Sequence, residues 1–435
     1  MAVVARPIIG RFPRSLEALN HRYFRHYWIA QLGSVVGSWM QITAQSWLVF
    51  DLIPNQTEAA LKFGYVSAIQ FAPTLVLGLF AGVVIDARSR RQVLLTTQSS
   101  LALSAAVMAV LTLTGSLTYG WLLVLAAFNG IAGTFDTPAR QSLIPDLVPL
   151  EDVRNAVALN SLSFNLARLM GPAIAAFAIG FFGHLMGSSG LLRYGPAFAV
   201  NAASYLGVIV VLARASLPAR PIVPHRVWAE IREGLSFTWR TPEVRIATLL
   251  VGVLSLTIVN FQTIVPLFTR QAIQGTVGGL GLLLSSLGVG AFIAFIINAA
   301  FPDEARLMLM RRGVLLLGVA FVAFTLTPSL WTAAIVLVAC GLGMILTMVN
   351  AQATVQLMVP NALRGRAMSV YMLVFSGLVP FGALLATQLA GHLGARRGLF
   401  VLGLIGLVGT LSLRPHRGDI RRARERLEAS SGNRV

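Results

Sequence analysis

Between Phe63 and Ile85 the chain runs 23 residues without a charge, and after one short loop it does so again from Val93 to Leu113. About 20 apolar residues are enough for a helix to cross the hydrocarbon core of a bilayer. Such stretches recur from end to end, and this recurrence constrains the fold more than any other feature. With 56% hydrophobic and 11% charged residues, the chain lies far from the roughly 25% charged composition of soluble domains. An all-α polytopic membrane protein is expected, since helices satisfy their own backbone in lipid.

Apolar runs bounded by charges or Gly/Pro breaks predict twelve transmembrane helices, at 26–52, 61–85, 93–114, 119–138, 154–182, 195–214, 246–270, 278–300, 312–328, 331–354, 366–391 and 398–413. The first, fifth and eleventh are long and carry polar residues, as expected of tilted or water-lining helices.

A net charge of +18 raises nucleic acid as a partner, but its placement argues against that. Of 34 basic residues all but Lys62 are arginine, and they cluster in short blocks between spans. With the N-terminus inside, 28 of them are cytoplasmic and only Lys62, Arg193, Arg270, Arg396 and Arg397 are external. Positive-inside bias therefore predicts that both termini are cytoplasmic. The expected organisation is a basic N-terminal segment (1–25), a six-helix bundle (26–214), a cytoplasmic linker (215–245), a second six-helix bundle (246–413) and a basic tail (414–435). The N-terminal stretch lacks the long apolar region of a signal peptide. Within the linker, Trp228, Ile231, Leu235 and Trp239 recur at helical spacing beside Glu230, Arg232 and Glu233, predicting an amphipathic helix on the inner membrane surface, with docking of a soluble partner as the second reading.

Several chemistries lack support. Cys340 is the single cysteine, and the six histidines show no metal-binding spacing. Neither a phosphate-binding GxxxxGK[ST] loop nor a G-x-S-x-G elbow occurs. No metal, cofactor or enzymatic activity is expected.

Two loops repeat: LVPLEDVRNA from Leu147 and MVPNALRGRA from Met358 place Pro149 and Pro360 211 positions apart. Each precedes a span with a Gly/Pro break, RLMGPAIAA and LVPFGALLA. A six-span unit used twice is expected, an arrangement common among alternating-access transporters.

The loop GVVIDARSRR resembles the signature G-x-x-x-D-R-x-G-R-[RK] of the major facilitator superfamily through Gly82, Asp86, Arg90 and Arg91, with Ala87 and Ser89 departing from it. LARLMGPAIAAFAIG resembles the Gly-Pro motif of its exporter branches through Gly171 and Pro172. PARQSLIPDLVPLEDVRNAVALNSLSFNLARLMGPA and VPNALRGRAMSVYMLVFSGLVPFG are similar to the enterobactin-exporter and macrolide-efflux group of bacterial members. The resemblance implies a monomeric exporter of the bacterial cytoplasmic membrane, coupled to protons, for a siderophore-, drug- or macrolide-like molecule. It further implies that Asp86 docks near Arg364, Gly365 and Arg366 as an inner-gate switch. An importer or lipid flippase of the same fold, or a non-transporting sensor or assembly partner, is the alternative.

Residue spacing supplies the remaining candidates. Gln31, Ser34, Ser38, Gln41 and Gln45 share one face of the first span. A polar face in a membrane must meet protein or water. Gln41 and Gln45, with Asn129, Asn260 and Asn350, are the candidate binding residues for a small-molecule substrate, inside walls that face membrane lipid. Asp136 and Arg140 are spaced i, i+4 and read as an ion pair near the cytoplasmic end, with gating as the second reading. Arg168 lies well within a span and needs an acid, a carbonyl or an anion. Outside the signature loop, Asp51 and Asp136 are the candidate coupling acids.

Overall fold

The computed structural model describes residues 14–187, 190–215, 227–360 and 363–413, and among them it is helical, with no strand. The helices are α1 (Arg22–Leu52), α2 (Gln56–Ala87), α3 (Arg90–Leu113), α4 (Tyr119–Leu147), α5 (Val153–Leu185), α6 (Gly195–Arg214) and α7 (Val227–Arg240). There follow α8 (Pro242–Leu256), α9 (Phe261–Gln271), α10 (Val277–Ala300), α11 (Arg306–Leu326), α12 (Leu330–Met358), α13 (Arg364–Leu393) and α14 (Ala395–Leu413). Among the described residues, eleven segments are long and apolar enough to cross a membrane, α8 and α9 counting as one. The 31-residue α1 carries the polar face yet has the length, and it brings the number of spans to twelve.

Helix starts follow local chemistry. The hydroxyls of Ser89, Thr118 and Thr276 accept the first free N–H groups of α3, α4 and α10. Ser329 and Thr332 form a reciprocal capping box at α12. Internal prolines are tolerated: α4 continues through Pro138 and Pro145 to Leu147, nine residues past the end expected from sequence.

The seventh span departs from expectation, which gave one helix over 246–270. It is broken between Leu256 and Phe261. Thr257 Oγ1 donates to the Val253 carbonyl (2.7 Å) and Asn260 Nδ2 to the Ser255 carbonyl (2.6 Å), so side chains take over part of the interrupted backbone ladder. Gly382 of α13 packs directly against this break, and a Cβ there would collide with the Ser255 carbonyl and the Asn260 amide.

The chain forms two compact units, Met1–Leu52 with Val76–Pro224, and Ile53–Leu75 with His225–Val435. The division thus falls inside α2 as well as before α7. In the first unit, Tyr27, Ile85, Leu94, Leu143, Val208 and Leu212 form a buried cluster joining α1, α2, α3, α4 and α6. A second cluster ties Ala18 in the turn before α1, and Phe24 of α1, to Ile144 of α4 and Leu159 of α5. In the second unit, Val244, Val251, Met310, Val355 and Tyr371 join α8, α11, α12 and α13. Large apolar side chains such as Phe177, Phe181, Val319 and Ile335 are exposed, as befits a surface that meets hydrocarbon.

Candidate functional site

In the first unit the polar face of α1 is largely consumed by helix pairing. Gln31 Nε2 donates to Asn160 Oδ1 of α5 at 2.6 Å. Asn201 Nδ2 of α6 donates to Gln41 Oε1 at 2.6 Å, and Ser38 Oγ meets Tyr205 Oη of α6 at 2.9 Å. In lipid, such bonds between helices fix which faces meet, because lipid offers polar groups no alternative. Gln45 is different: it is buried, yet its Nε2 has no hydrogen-bond partner among the described residues. Asn129 of α4 is half-buried.

Asp136 and Arg140 form the ion pair that their spacing predicts, with Nε to Oδ2 at 2.5 Å and both residues buried. Asp136 Oδ1 also accepts from Thr97 Oγ1 (2.8 Å) and Gln98 Nε2 (2.6 Å) of α3, which spreads the carboxylate charge over three donors. At the other end of α1, Asp51 accepts from Arg193 and Tyr194, so this acid too is paired.

Arg168 of α5 meets neither Asp136 nor a carbonyl among the described residues. Its guanidinium lies 5.3 Å from the centroid of the Trp39 ring of α1. Three residues on, Gly171 lets α5 approach α1 so closely that an added Cβ would collide with Trp39 Cβ and crowd the Val36 carbonyl at 3.1 Å. Pro172 is buried beside it.

The signature loop staples the first unit at one end. Ser89 caps α3, Arg90 Nη1 pairs with Asp146 Oδ2 of α4 at 2.6 Å, and Arg91 donates to the Leu212 and Ala213 carbonyls at the end of α6 (2.7 and 2.6 Å). Gly82 and Asp86 fall on α2, and their side chains lie outside the described residues.

In the second unit Asn350 of α12 donates to Asn298 Oδ1 of α10 and to the Leu346 carbonyl, each at 2.7 Å. Asn260 supports the α8–α9 break, and Thr263 Oγ1 reaches Ser67 Oγ at 3.3 Å. Arg366 pairs with Glu233 of α7, and Arg364 Nε donates to the Gln356 carbonyl at 3.0 Å. Both arginines of the expected switch therefore have partners in their own unit.

Among the described residues no group of three or more His, Cys, Asp or Glu is placed to hold a metal. Sequence reasoning missed Asn160, Asn201, Asn298, Asp146 and Trp39. For Asn160, Asn201 and Asn298 an amide within an apolar span was the available signal, because a buried amide must find a partner.

Twelve membrane-length helices in two units, with polar side chains holding the helices together, define a transporter of the major facilitator type. The family model for transmembrane secretion effectors matches residues 14–430, and the chain belongs to that family. It is 28% identical to the multidrug efflux pump Tap of Mycolicibacterium fortuitum, over 86% of this chain and 91% of that one. It is also 23% identical to the staphyloferrin A transporter of Staphylococcus aureus, over 85% and 90% of the two chains. Macrolide efflux protein A of Streptococcus pyogenes is 21% identical, over 90% and 95%. Among solved structures, a bacterial homologue of the human lysosomal transporter Spinster matches with a TM-score of 0.69 at 15% identity, covering 92% of this chain and 97% of that one. A D-xylose–proton symporter matches at 0.67 and 15% identity, over 89% and 97%, and these likenesses bear on the fold alone.

Proposed function

We propose that this protein exports a small, moderately apolar molecule across the bacterial cytoplasmic membrane by alternating access. The observation that carries the reading is the near full-length similarity to chains described as efflux pumps. The internal repeat supports it, because two related six-helix units are a common basis of alternating access. In this reading Gln45 and Asn129 face the substrate, while Gln41, Asn260 and Asn350 hold in place the helices that carry it. Both termini are cytoplasmic, on the strength of the 28-to-5 distribution of basic residues. The working unit is the monomer, and inward proton movement drives export, with Asp136 as the acid whose partners change during the cycle.

The test is flux in proteoliposomes of known orientation, with a lipophilic dye inside and out and a proton gradient of either sign. Export reads as dye movement toward the extracellular face that stops when the gradient is collapsed. Movement only toward the cytoplasmic face would indicate an importer, transfer of labelled lipid a flippase, and no movement a sensor or assembly partner.

A further inference from the structure

Arg168 is 15 residues, about 22 Å, from the start of α5 and 17 residues, about 25 Å, from its end. That is the middle of a helix long and apolar enough to cross a membrane. The side chain is an arginine, which stays charged at any physiological pH. A charge at this depth costs at least about 2.5 kcal/mol on insertion scales and persists only with a partner. Yet its Nε and Nη1 are buried with no hydrogen-bond acceptor among the described residues. The carboxylates that might have served are engaged elsewhere, Asp136 with Arg140 and Asp51 with Arg193.

Trp39 supplies only half of what the group needs. The ring attracts the charge through the guanidinium face. The N–H bonds, however, radiate in the guanidinium plane and require acceptors at its edge. Gly171 keeps α1 and α5 close enough for the stack, so the arginine is held with one face covered while its Nε and Nη1 meet no acceptor among the described residues.

We propose that Arg168 is a substrate-binding residue that receives the anionic group of the transported molecule, a carboxylate or phosphate on an apolar frame. The planar fork matches such oxyanions, and the Trp39 ring gives the adjoining apolar part a flat surface. The word substrate rests on the export reading above, whereas the anion preference is measurable without any transport.

The test uses the full-length protein in nanodiscs of zwitterionic lipid and two probes of nearly equal shape, 1-naphthoate and its neutral amide, 1-naphthamide, with affinities read by equilibrium dialysis. Wild type should bind the carboxylate more tightly than the amide. Arg168→Gln should weaken naphthoate about tenfold or more and naphthamide far less, and the naphthamide binding that remains reports that the variant is folded. Arg168→Lys should retain part of the preference. Equal affinities in wild type, or a preference that survives in Arg168→Gln, would overturn the proposal. So would loss of naphthoate binding in nanodiscs containing phosphatidylglycerol, which would assign the anion to lipid. An absence of dye flux alongside an intact carboxylate preference would sink the export reading and leave the site standing.

Discussion

Gly171 and Gly382 occupy the same register of the two halves, 211 positions apart, the spacing that also separates Pro149 from Pro360. Each lets a long helix pack tightly against the first span of its own sequence half: Gly171 against α1 at Val36, Trp39 and Met40, and Gly382 against the α8–α9 break at Ser255, Leu256 and Asn260. The repeat is therefore preserved in packing as well as in the wording of two loops.

Alanine at either glycine should destabilise the protein, because the added Cβ would meet Trp39 Cβ at Gly171 and the Ser255 carbonyl at Gly382, and these cannot swing aside. Overpacking of this kind costs about 1–3 kcal/mol. Gly133 and Gly180, helical glycines with open space around them, are the controls. Alanine there should be neutral or stabilise by up to about 1 kcal/mol through backbone entropy. Thermal unfolding in detergent of the four variants would separate these outcomes, and equal shifts would refute the close-packing argument.

The buried pair of Asp136 and Arg140 should behave as one unit. Asp136→Ala strands a buried guanidinium and removes the acceptor of Thr97 and Gln98, a loss of roughly 3–5 kcal/mol. Asp136→Asn keeps an acceptor oxygen for the α3 donors but turns its NH2, a donor, toward Arg140, so it should also destabilise. Adding Arg140→Gln to Asp136→Asn should recover part of the loss. A double-mutant cycle in unfolding temperature measures that coupling, and strict additivity would show the pair to be energetically independent.

Glu233 and Gly234 join α7 to the start of α13 by different means, and the two should differ in consequence. The Glu233–Arg366 pair is solvent-exposed on the acid side, with half of the Glu233 side chain accessible, so Glu233→Gln should cost no more than about 1 kcal/mol. A side chain at Gly234 would instead collide with the Arg366 carbonyl. Gly234→Val should lift α7 away. The readout is maleimide labelling of Thr238→Cys, whose position is fully buried in the native fold. Labelling should be slow alone and fast with Gly234→Val, and protection in both would disprove the clamp.

Much of this was legible in the chain. The sixth span, expected at 195–214, is Gly195–Arg214, because long apolar runs between charges leave few alternatives. The Asp136–Arg140 pair followed from helical spacing alone. Tertiary partners did not follow: Gln31 finds Asn160 across 129 positions and Gln41 finds Asn201 across 160, and periodicity reveals the polar face but not what meets it. The break at Thr257–Asn260 was hidden because no glycine or proline marks it; side chains that bond the backbone are the cause. Arg168 was expected to find an acid, a carbonyl or an anion; among the described residues it meets neither of the first two and lies over an aromatic ring.

The two arginines of GVVIDARSRR make different contacts and should tolerate different replacements. Arg91 bonds two successive carbonyls at the end of α6, where unpaired acceptors and the negative end of the helix dipole coincide. Lysine can supply the charge but not a fork that reaches both oxygens, so Arg91→Lys should recover only part of what Arg91→Ala loses, about 1–2 kcal/mol. Arg90 instead answers a buried acid, since only 5% of the Asp146 side chain is accessible. Arg90→Ala should therefore be the more damaging of the two, and Asp146→Asn should offset part of the loss by lowering the buried charge that Arg90 balanced. Asp146→Asn should do nothing for Arg91→Ala. Rescue of both arginine variants, or of neither, in thermal unfolding would show that the loop does not divide its contacts in this way.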